Sequence, residues 1–265
     1  MYEQEYGEPM KTDTILRFNT EMARAKPNNV LQGRDSACPF CSPEKLSEIL
    51  DARVDGIRLV KNKYPVLQDA FQTVLIETDE CETDLTRYSL AHLCKVFRFG
   101  MEKWLEMEHQ GTYESVLFFK NQGPLSGGSI RHPHMQIIGL KTVDYRDNLA
   151  EEYFEGHDIH SSNGVQLNLS KKPMIGFTEF NVIFSDLKQI EQAAAYVQQT
   201  VHYVLNHFNG RGCSSYNLFF YHWLGKFFIK IVPRYATTPL YIGYGLRQVY
   251  GDPERLIRDM QKRYF

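Results

Sequence analysis

Two imidazoles and an amide, His132, His134 and Gln136, alternate at the end of the run Asn121-Gln-Gly-Pro-Leu-Ser-Gly-Gly-Ser-Ile-Arg-His-Pro-His-Met-Gln136. Alternate side chains of an extended chain share a face, so all three are expected to point the same way. Ahead of them lies a glycine- and serine-rich turn, whose backbone N–H groups can converge on an anion. Imidazole serves as metal ligand and as nucleophile, and the turn supplies a phosphate-sized nest. The combination predicts metal binding together with phosphoryl chemistry. Either histidine alone would read as an exposed polar residue near a strand edge. The nest, the alternation and Gln136 taken together favour the chemical reading.

The elements that must position these groups flank them directly. An apolar, strand-like run over 115–120 feeds the turn, and a second over 135–140 leaves it. The spaced pattern Asn-x-Gly-x-x-x-Gly-x-Ser-x-x-His-Pro-His-x-Gln is carried here by Asn121, Gly123, Gly127, Ser129, His132, Pro133, His134 and Gln136. It resembles the galactose-1-phosphate uridylyltransferase family, a branch of the histidine triad superfamily that also holds nucleoside-diphosphate-sugar phosphorylases.

That resemblance implies a mechanism. His134 would attack the α-phosphorus of a nucleotide and form a covalent nucleotidyl-histidine. One ring nitrogen must then be unprotonated, with the other held by a backbone carbonyl. Gln136 would donate to a non-bridging oxygen, while Asn121, Ser129 and the amides of Gly127 and Gly128 cradle the phosphates. His132 would ligate a structural zinc and fix the strand that carries His134. An acceptor phosphate or phosphorylated sugar would take the nucleotide in a second half-reaction.

Cys38-Pro-Phe-Cys41 is compatible with a redox pair or half a zinc site. A redox pair would open a helix straight after a strand, whereas this one follows the polar stretch Gln32-Gly-Arg-Asp-Ser36, which favours zinc. A tetrahedral site needs two further ligands, and His132 is the natural third. The resemblance places the fourth shortly after a strand like Val74-Leu-Ile-Glu-Thr78, where this chain has Cys81. The expected set is Cys38, Cys41, Cys81 and His132.

Three more segments follow from the resemblance. In Ile57-Arg-Leu-Val-Lys-Asn-Lys-Tyr-Pro65, the resemblance tips Asn62 toward contacting the nucleotide over the alternative of a turn asparagine ahead of Pro65. Arg24 of Arg24-Ala-Lys-Pro-Asn-Asn29 would help hold phosphates, although a solvated basic loop reads equally well. Where the family recognises hexose hydroxyls with lysine, glutamate and glutamine, this chain has Pro239, Gly245 and Gly251. Hydroxyl recognition depends on such polar groups, so galactose 1-phosphate is disfavoured as the acceptor.

Bulk properties set the frame. At 265 residues, with 23% charged and 43% hydrophobic, the chain is an ordinary globular one that can bury a large core. A net charge of −2 gives no broad basic field for nucleic acid, so a nucleotide must be held locally. The acidic N-terminal stretch lacks the apolar core of a signal peptide. The most apolar run, residues 216–232, is interrupted by His222, Lys226 and Lys230 and is too polar to span a membrane. Five cysteines in a chain of this size do not form a secreted disulfide framework, so a reducing cytoplasmic setting is expected.

Periodicity predicts the order strand–helix–strand–strand twice, over 71–140 and 180–232. The first helix is expected near Thr83/Asp84 with Leu93, Val96, Phe97, Met101 and Trp104 inward, the second after Ser185/Asp186. Residues 141–173 read as a linker insertion. Asp252 and Pro253 mark a last helix. The fold expected is α+β, two histidine-triad-like halves, 1–145 and 146–265, sharing an antiparallel sheet. Only the first carries the chemistry, because the return strand of the second has no His-x-His pair. The resemblance also implies a homodimer.

The function expected is nucleotidyl transfer from a nucleotide sugar or related nucleotide through His134. Hydrolysis or phosphorolysis of dinucleoside polyphosphates or nucleotide sugars remains open, as does a catalytically silent nucleotide-binding protein.

Overall fold

Ten strands form one sheet in the order β1-β2-β3-β5-β4-β9-β10-β8-β7-β6, antiparallel at every pairing. The computed structural model describes residues 15–30, 38–42 and 46–265. The acidic N-terminal stretch and the polar stretch 32–36 lie outside them.

The first five strands are β1 (Ile49–Ala52), β2 (Arg58–Lys61), β3 (Ala70–Ile76), β4 (Ser115–Gln122) and β5 (His134–Leu140). The other five are β6 (Gly156–Ser162), β7 (Val165–Ser170), β8 (Phe180–Phe184), β9 (Tyr216–Trp223) and β10 (Lys226–Pro233). Read from either edge inward, the sheet gives the same sequence of roles: two outer strands, a strand before a helix, then a hairpin pair. The halves meet where β4 pairs with β9, with Phe118 opposite Phe220 and Asn121 opposite Asn217. This is the expected α+β arrangement, with two similarly ordered sets of elements sharing one antiparallel sheet.

Helices α2 (Leu90–His109) and α3 (Ile190–Asn206) cover one face of the sheet. Their inward stripes, including Leu93, Phe97 and Trp104 on α2 and Val197, Val201 and Val204 on α3, belong to one core with Phe118, Met135, Ile137, Leu218 and Ile229. Burying each such side chain contributes about 1.5–3 kcal/mol, which makes this face the main source of stability. Phe118 and Phe220 stack at 4.1 Å beneath the helices, and Trp104 Nε1 donates to the Val116 carbonyl. Side chains on the other face, among them His134, Gln136, Phe119, Asn121, Asn217 and Phe219, are left to loops and cavities.

Several boundaries differ from expectation for local reasons. Asp84 caps a short 3-10 turn, Leu85–Arg87, and Ser89 caps α2 itself through the His92 N–H. Asp186 likewise caps a 3-10 turn ahead of α3, using a reciprocal capping box with Gln189. Residues 141–173 are not a linker insertion: they contain the hairpin β6–β7, which extends the sheet through β7–β8. The short, polar strand β6 hid this pairing. Helix α1 (Thr20–Ala25) and helix α4 (Pro239–Tyr244) are short, and α5 (Pro253–Tyr264) starts as expected with Asp252 capping and Pro253 in its first turn. Among the described residues no helix is long and apolar enough to cross a membrane.

Candidate active site and metal centre

Strand β5 begins at His134, and the sequence folds that way because Gly123 lets β4 leave the sheet. Gly123 has φ +85°, and a Cβ there would collide with the Ser214 carbonyl and Ser215. The turn then runs from Gly123 to Ile130 and is fastened from outside. The Asn29 and Val30 N–H groups donate to the Ser129 carbonyl at 2.9 and 3.3 Å, and the Arg131 N–H donates to Asn29 Oδ1 at 2.9 Å. Buried Asn29 is thus the clasp of the motif.

His134 is buried, and its Nδ1 lies 2.7 Å from the His132 carbonyl. A carbonyl can only accept, so Nδ1 carries the hydrogen and Nε2 is left with its lone pair. Burial pushes this imidazole down to about 3, helped by the charges of Lys120 and Lys26 and opposed by the hydrogen bond to His132. It is neutral throughout the physiological range. Gln136 lines the same cavity as His134, together with Lys26, Asn62, Tyr64, Val60 and Ile130. Phe40 sets its ring edge-on to both histidines, at 5.8 Å from His132 and 5.4 Å from His134.

The expected phosphate groups are distributed around this point. Ser129 Oγ is buried with no hydrogen-bond partner among the described residues, a costly arrangement unless a ligand supplies one. Gly127 and Gly128 sit in the same turn, Gly127 exposed. Asn121 is two residues beyond Phe119, the partner of Gln136, and so faces the same side as His134. Asn62 lines the cavity and also accepts from the Tyr64 N–H at 2.9 Å, so it is a turn asparagine at a cavity wall. Arg24 lies in the last turn of α1, exposed and outside the lining of this cavity, as the solvated reading has it. Two residues on, Lys26 lines the cavity instead, and burial pushes its ammonium below the usual lysine range. Composition alone could not choose between two cations on one short segment.

Cys38, Cys41, Cys81 and His132 bring one ligand atom each within 4.8 Å of all the others, a group able to hold a metal ion. Cys38 Sγ and Cys41 Sγ lie 3.7 and 3.6 Å from His132 Nδ1. A tetrahedron with metal–sulfur near 2.3 Å and metal–nitrogen near 2.0–2.1 Å has edges of about 3.5–3.8 Å. The opposite ring nitrogen, Nε2, donates to the Thr78 carbonyl at 2.8 Å, which turns Nδ1 toward the thiols. Burial raises the Cys38 thiol, but hydrogen bonds from His132, Phe40 N–H and the neighbouring cysteines outweigh it and bring it to about 6. Burial and the adjacent Cys38 and Cys41 sulfurs push Cys81 up. Three thiolates this close would repel one another unless a cation lay among them. No second cluster of this kind occurs among the described residues.

Behind the site, on the helix face, Lys120 and Glu77 form a fully buried ion pair. Tyr88 OH donates to Glu77 Oε2 at 3.1 Å, and Lys120 Nζ reaches the His134 carbonyl at 3.4 Å. The second half has its own buried pair on the opposite face of the sheet, Lys230 and Glu179, at 2.9 Å, with Lys230 also donating to the Tyr153 carbonyl and Asn181 Oδ1. There, Phe228 rather than a histidine stands on the open face of β10, packed on Phe154 at 4.3 Å. The second half therefore presents no nucleophile at the corresponding place.

The models of the DUF4931 family match the chain in two pieces: its N-terminal domain, of unknown function, over residues 18–143 and its C-terminal domain over residues 146–265. The crystal structure of a DUF4931 family protein from Bacillus cereus ATCC 10987 is 45% identical, covering 81% of this chain and 98% of that one, with a TM-score of 0.74. An ADP-glucose phosphorylase from Arabidopsis thaliana, solved with bound ADP-glucose, has the same fold at 18% identity and a TM-score of 0.69, covering 95% and 99%. A uridylyltransferase structure shares it at 19% identity and a TM-score of 0.67, covering 87% and 92%. An uncharacterised protein of Archaeoglobus fulgidus is 25% identical over 165 residues, 59% of this chain and 48% of that protein, so the chain matches about half of that relative's length.

Proposed function

This chain belongs to the DUF4931 family, and we propose that it is a nucleotidyltransferase working through a covalent nucleotidyl-His134 intermediate. The observation that carries the reading is the 2.7 Å contact between His134 Nδ1 and the His132 carbonyl. It fixes the tautomer, and burial keeps the ring neutral, so Nε2 is a ready nucleophile toward phosphorus. The shared fold of a uridylyltransferase and of a phosphorylase holding ADP-glucose supports a nucleotide or nucleotide sugar as donor.

In the first step the Nε2 lone pair forms a bond to the α-phosphorus while the bond to the leaving phosphate oxygen breaks. Gln136, Lys26 and Ser129 Oγ stabilise the charge on the non-bridging oxygens. Asn62 and Tyr64 hold the nucleoside on the other side of the cavity. In the second step an acceptor oxygen attacks the same phosphorus and the electron pair returns to Nε2. Neither the cavity holding His134 nor the one beside the phosphate turn is lined by an aspartate or glutamate among the described residues. Water would need a general base, whereas a phosphate oxyanion needs none. That favours phosphate or a phosphate ester as the acceptor, and with it a transferase or phosphorylase.

Zinc fits the Cys38, Cys41, Cys81 and His132 set, because three sulfurs and one imidazole, with two of the sulfurs 3.6–3.7 Å from His132 Nδ1, suit a closed structural site. Bound there, it would supply no chemistry beyond holding His132. His132 in turn presents its carbonyl to His134.

Intact-protein mass after brief incubation with UDP-sugars, ADP-sugars and dinucleoside polyphosphates tests the reading. A gain of one nucleoside monophosphate that is absent from His134→Ala is the expected result. No gain with any donor, from protein that retains its metal, overturns it.

A further inference from the structure

The phosphate turn has a cavity on its other side. It occupies about 460 Å³, within the range of small-ligand sites, and reaches from Asn121 and Ser126 to Arg234 of the second half. Its floor is the centre of the sheet, where Phe119 and Phe219 lie 6.5 Å apart and remain partly exposed. Their neighbours Phe118 and Phe220, on the opposite face, stack at 4.1 Å and are buried. The same two strands thus seal one aromatic pair and leave the other open to the cavity. Tyr221 and Leu149 continue the apolar wall.

Tyr145 and Asn148 add polar groups beside Leu149, and the end nearest the turn carries the cation. Arg234 Nη1 donates to Asn217 Oδ1 at 2.8 Å, and Asn217 Nδ2 donates to Asn121 Oδ1 at 2.6 Å. Arg234 has no carboxylate partner among the described residues, so its guanidinium is oriented by an amide and its charge is uncompensated. A planar cation held this way suits a phosphate.

We propose that this cavity binds the second, non-transferred group of the reaction as a phosphate-bearing compound with an aromatic body, of the nucleoside di- or triphosphate class, with Arg234 on its phosphate. The proposal rests on the reading of His134 given above. A hexose presents hydroxyls over its whole surface, and a wall of Phe119, Phe219, Tyr221 and Leu149 offers few partners for them. The positions where the resembling family has polar groups for the hexose are spent on backbone: Pro239 opens α4, and Gly245, with φ +65°, closes it. Aromatic rings stack on a nucleobase without needing hydrogen bonds. In the step proposed, a terminal phosphate oxygen of the acceptor attacks the phosphorus on His134. One P–O bond forms, the P–N bond breaks with its electron pair returning to Nε2, and no proton moves.

The test separates loading from discharge. Adenosine and uridine 5′-phosphorimidazolides carry only imidazole as leaving group, so they load His134 without using this cavity. Loaded enzyme is then discharged with ADP or ATP and, in parallel, with glucose 1-phosphate or galactose 1-phosphate. The expected KM for the nucleotides is lower than for the hexose phosphates by about tenfold or more. Arg234→Gln should raise the nucleotide KM by about tenfold while loading is unchanged, and Arg234→Lys should recover part of the loss. Unchanged loading also shows that the variant is folded. Absence of loading in the wild type overturns the His134 reading. Loading followed by discharge with no preference for nucleotides, or without dependence on Arg234, overturns this inference alone.

Discussion

Asn217 Nδ2 donates to Asn121 Oδ1 at 2.6 Å, joining a strand of the second half to the first residue of the phosphate motif in the first. Asn217 is buried, and the same nitrogen reaches the Ser126 carbonyl at 3.0 Å. Its oxygen accepts from Arg234. One amide therefore sets the turn and the guanidinium together. Asn217→Ala strands several buried polar groups at once, and unfolding in denaturant should show a loss of about 2–3 kcal/mol. Discharge of nucleotidyl-His134 should slow more than its formation, because Arg234 loses its orienting contact. Equal slowing of both steps would argue that Asn217 only supports the turn.

Metal content offers an independent check of the cysteine cluster. One zinc per chain is expected by elemental analysis, and Cys81→Ser should lose most of it together with a lower Tm. Cys81→His is the sharper variant, since imidazole is as good a zinc ligand as thiolate. It should retain the metal and near-native stability. Loss of zinc in Cys81→His but not in Cys81→Ser would remove Cys81 from the ligand set.

The chemistry of this fold was readable in sequence where residues act through fixed spacing. His134 and Gln136 come together because they alternate on β5, whereas His132 stands in a bend ahead of it and turns to the cysteines, and Cys38 lies with Cys41 because two residues separate them. Cys81 required the resemblance, since nothing local links position 81 to position 132. Lys26 and Asn29 were visible as part of a basic, turn-prone segment, but their choice over Arg24 depends on where α1 ends. Asn217 and Arg234 were out of reach. Their role arises from the β4–β9 register, which joins residues almost a hundred apart. The hairpin β6–β7 was missed because an edge strand with exposed polar residues carries little alternation.

Glu108 predicts a pH dependence of stability. Burial at the end of α2 pushes its carboxyl up to about 7, against the charges of Arg146 and His109, which lower it. Its side chain is 15% exposed, and His222 Nδ1 lies 3.6 Å away. Between the ordinary carboxylate range and about pH 7, the unfolded chain has released this proton while the folded chain keeps it. The folded state binds more protons there, so stability falls as pH rises through that window. Glu108→Gln removes the effect. Denaturant midpoints of the variant should exceed wild type at pH 8 by about 1–2 kcal/mol, after allowance for solvent screening, and approach it at pH 4. A constant difference at both pH values would place the cause elsewhere.

The buried pair of Glu77 and Lys120 makes the strongest prediction about stability, because both side chains are wholly inaccessible. Removing one partner leaves an uncompensated charge in the core, at a cost of about 3–5 kcal/mol. Glu77→Gln and Lys120→Met should each show that loss by denaturant unfolding. The double variant leaves no net charge behind and should recover most of it, giving a large coupling energy in the cycle. Lys120 also reaches the His134 carbonyl, and its charge helps keep the imidazole neutral. The hydrogen bond from His134 Nδ1 to the His132 carbonyl does not involve Lys120, so the nucleophile keeps its tautomer in the double variant. The double variant should therefore fold and still acquire a nucleoside monophosphate on His134, at a reduced rate. A stable double variant that never loads would make Lys120 part of the chemistry, and single variants costing under about 1 kcal/mol would show that water reaches the pair.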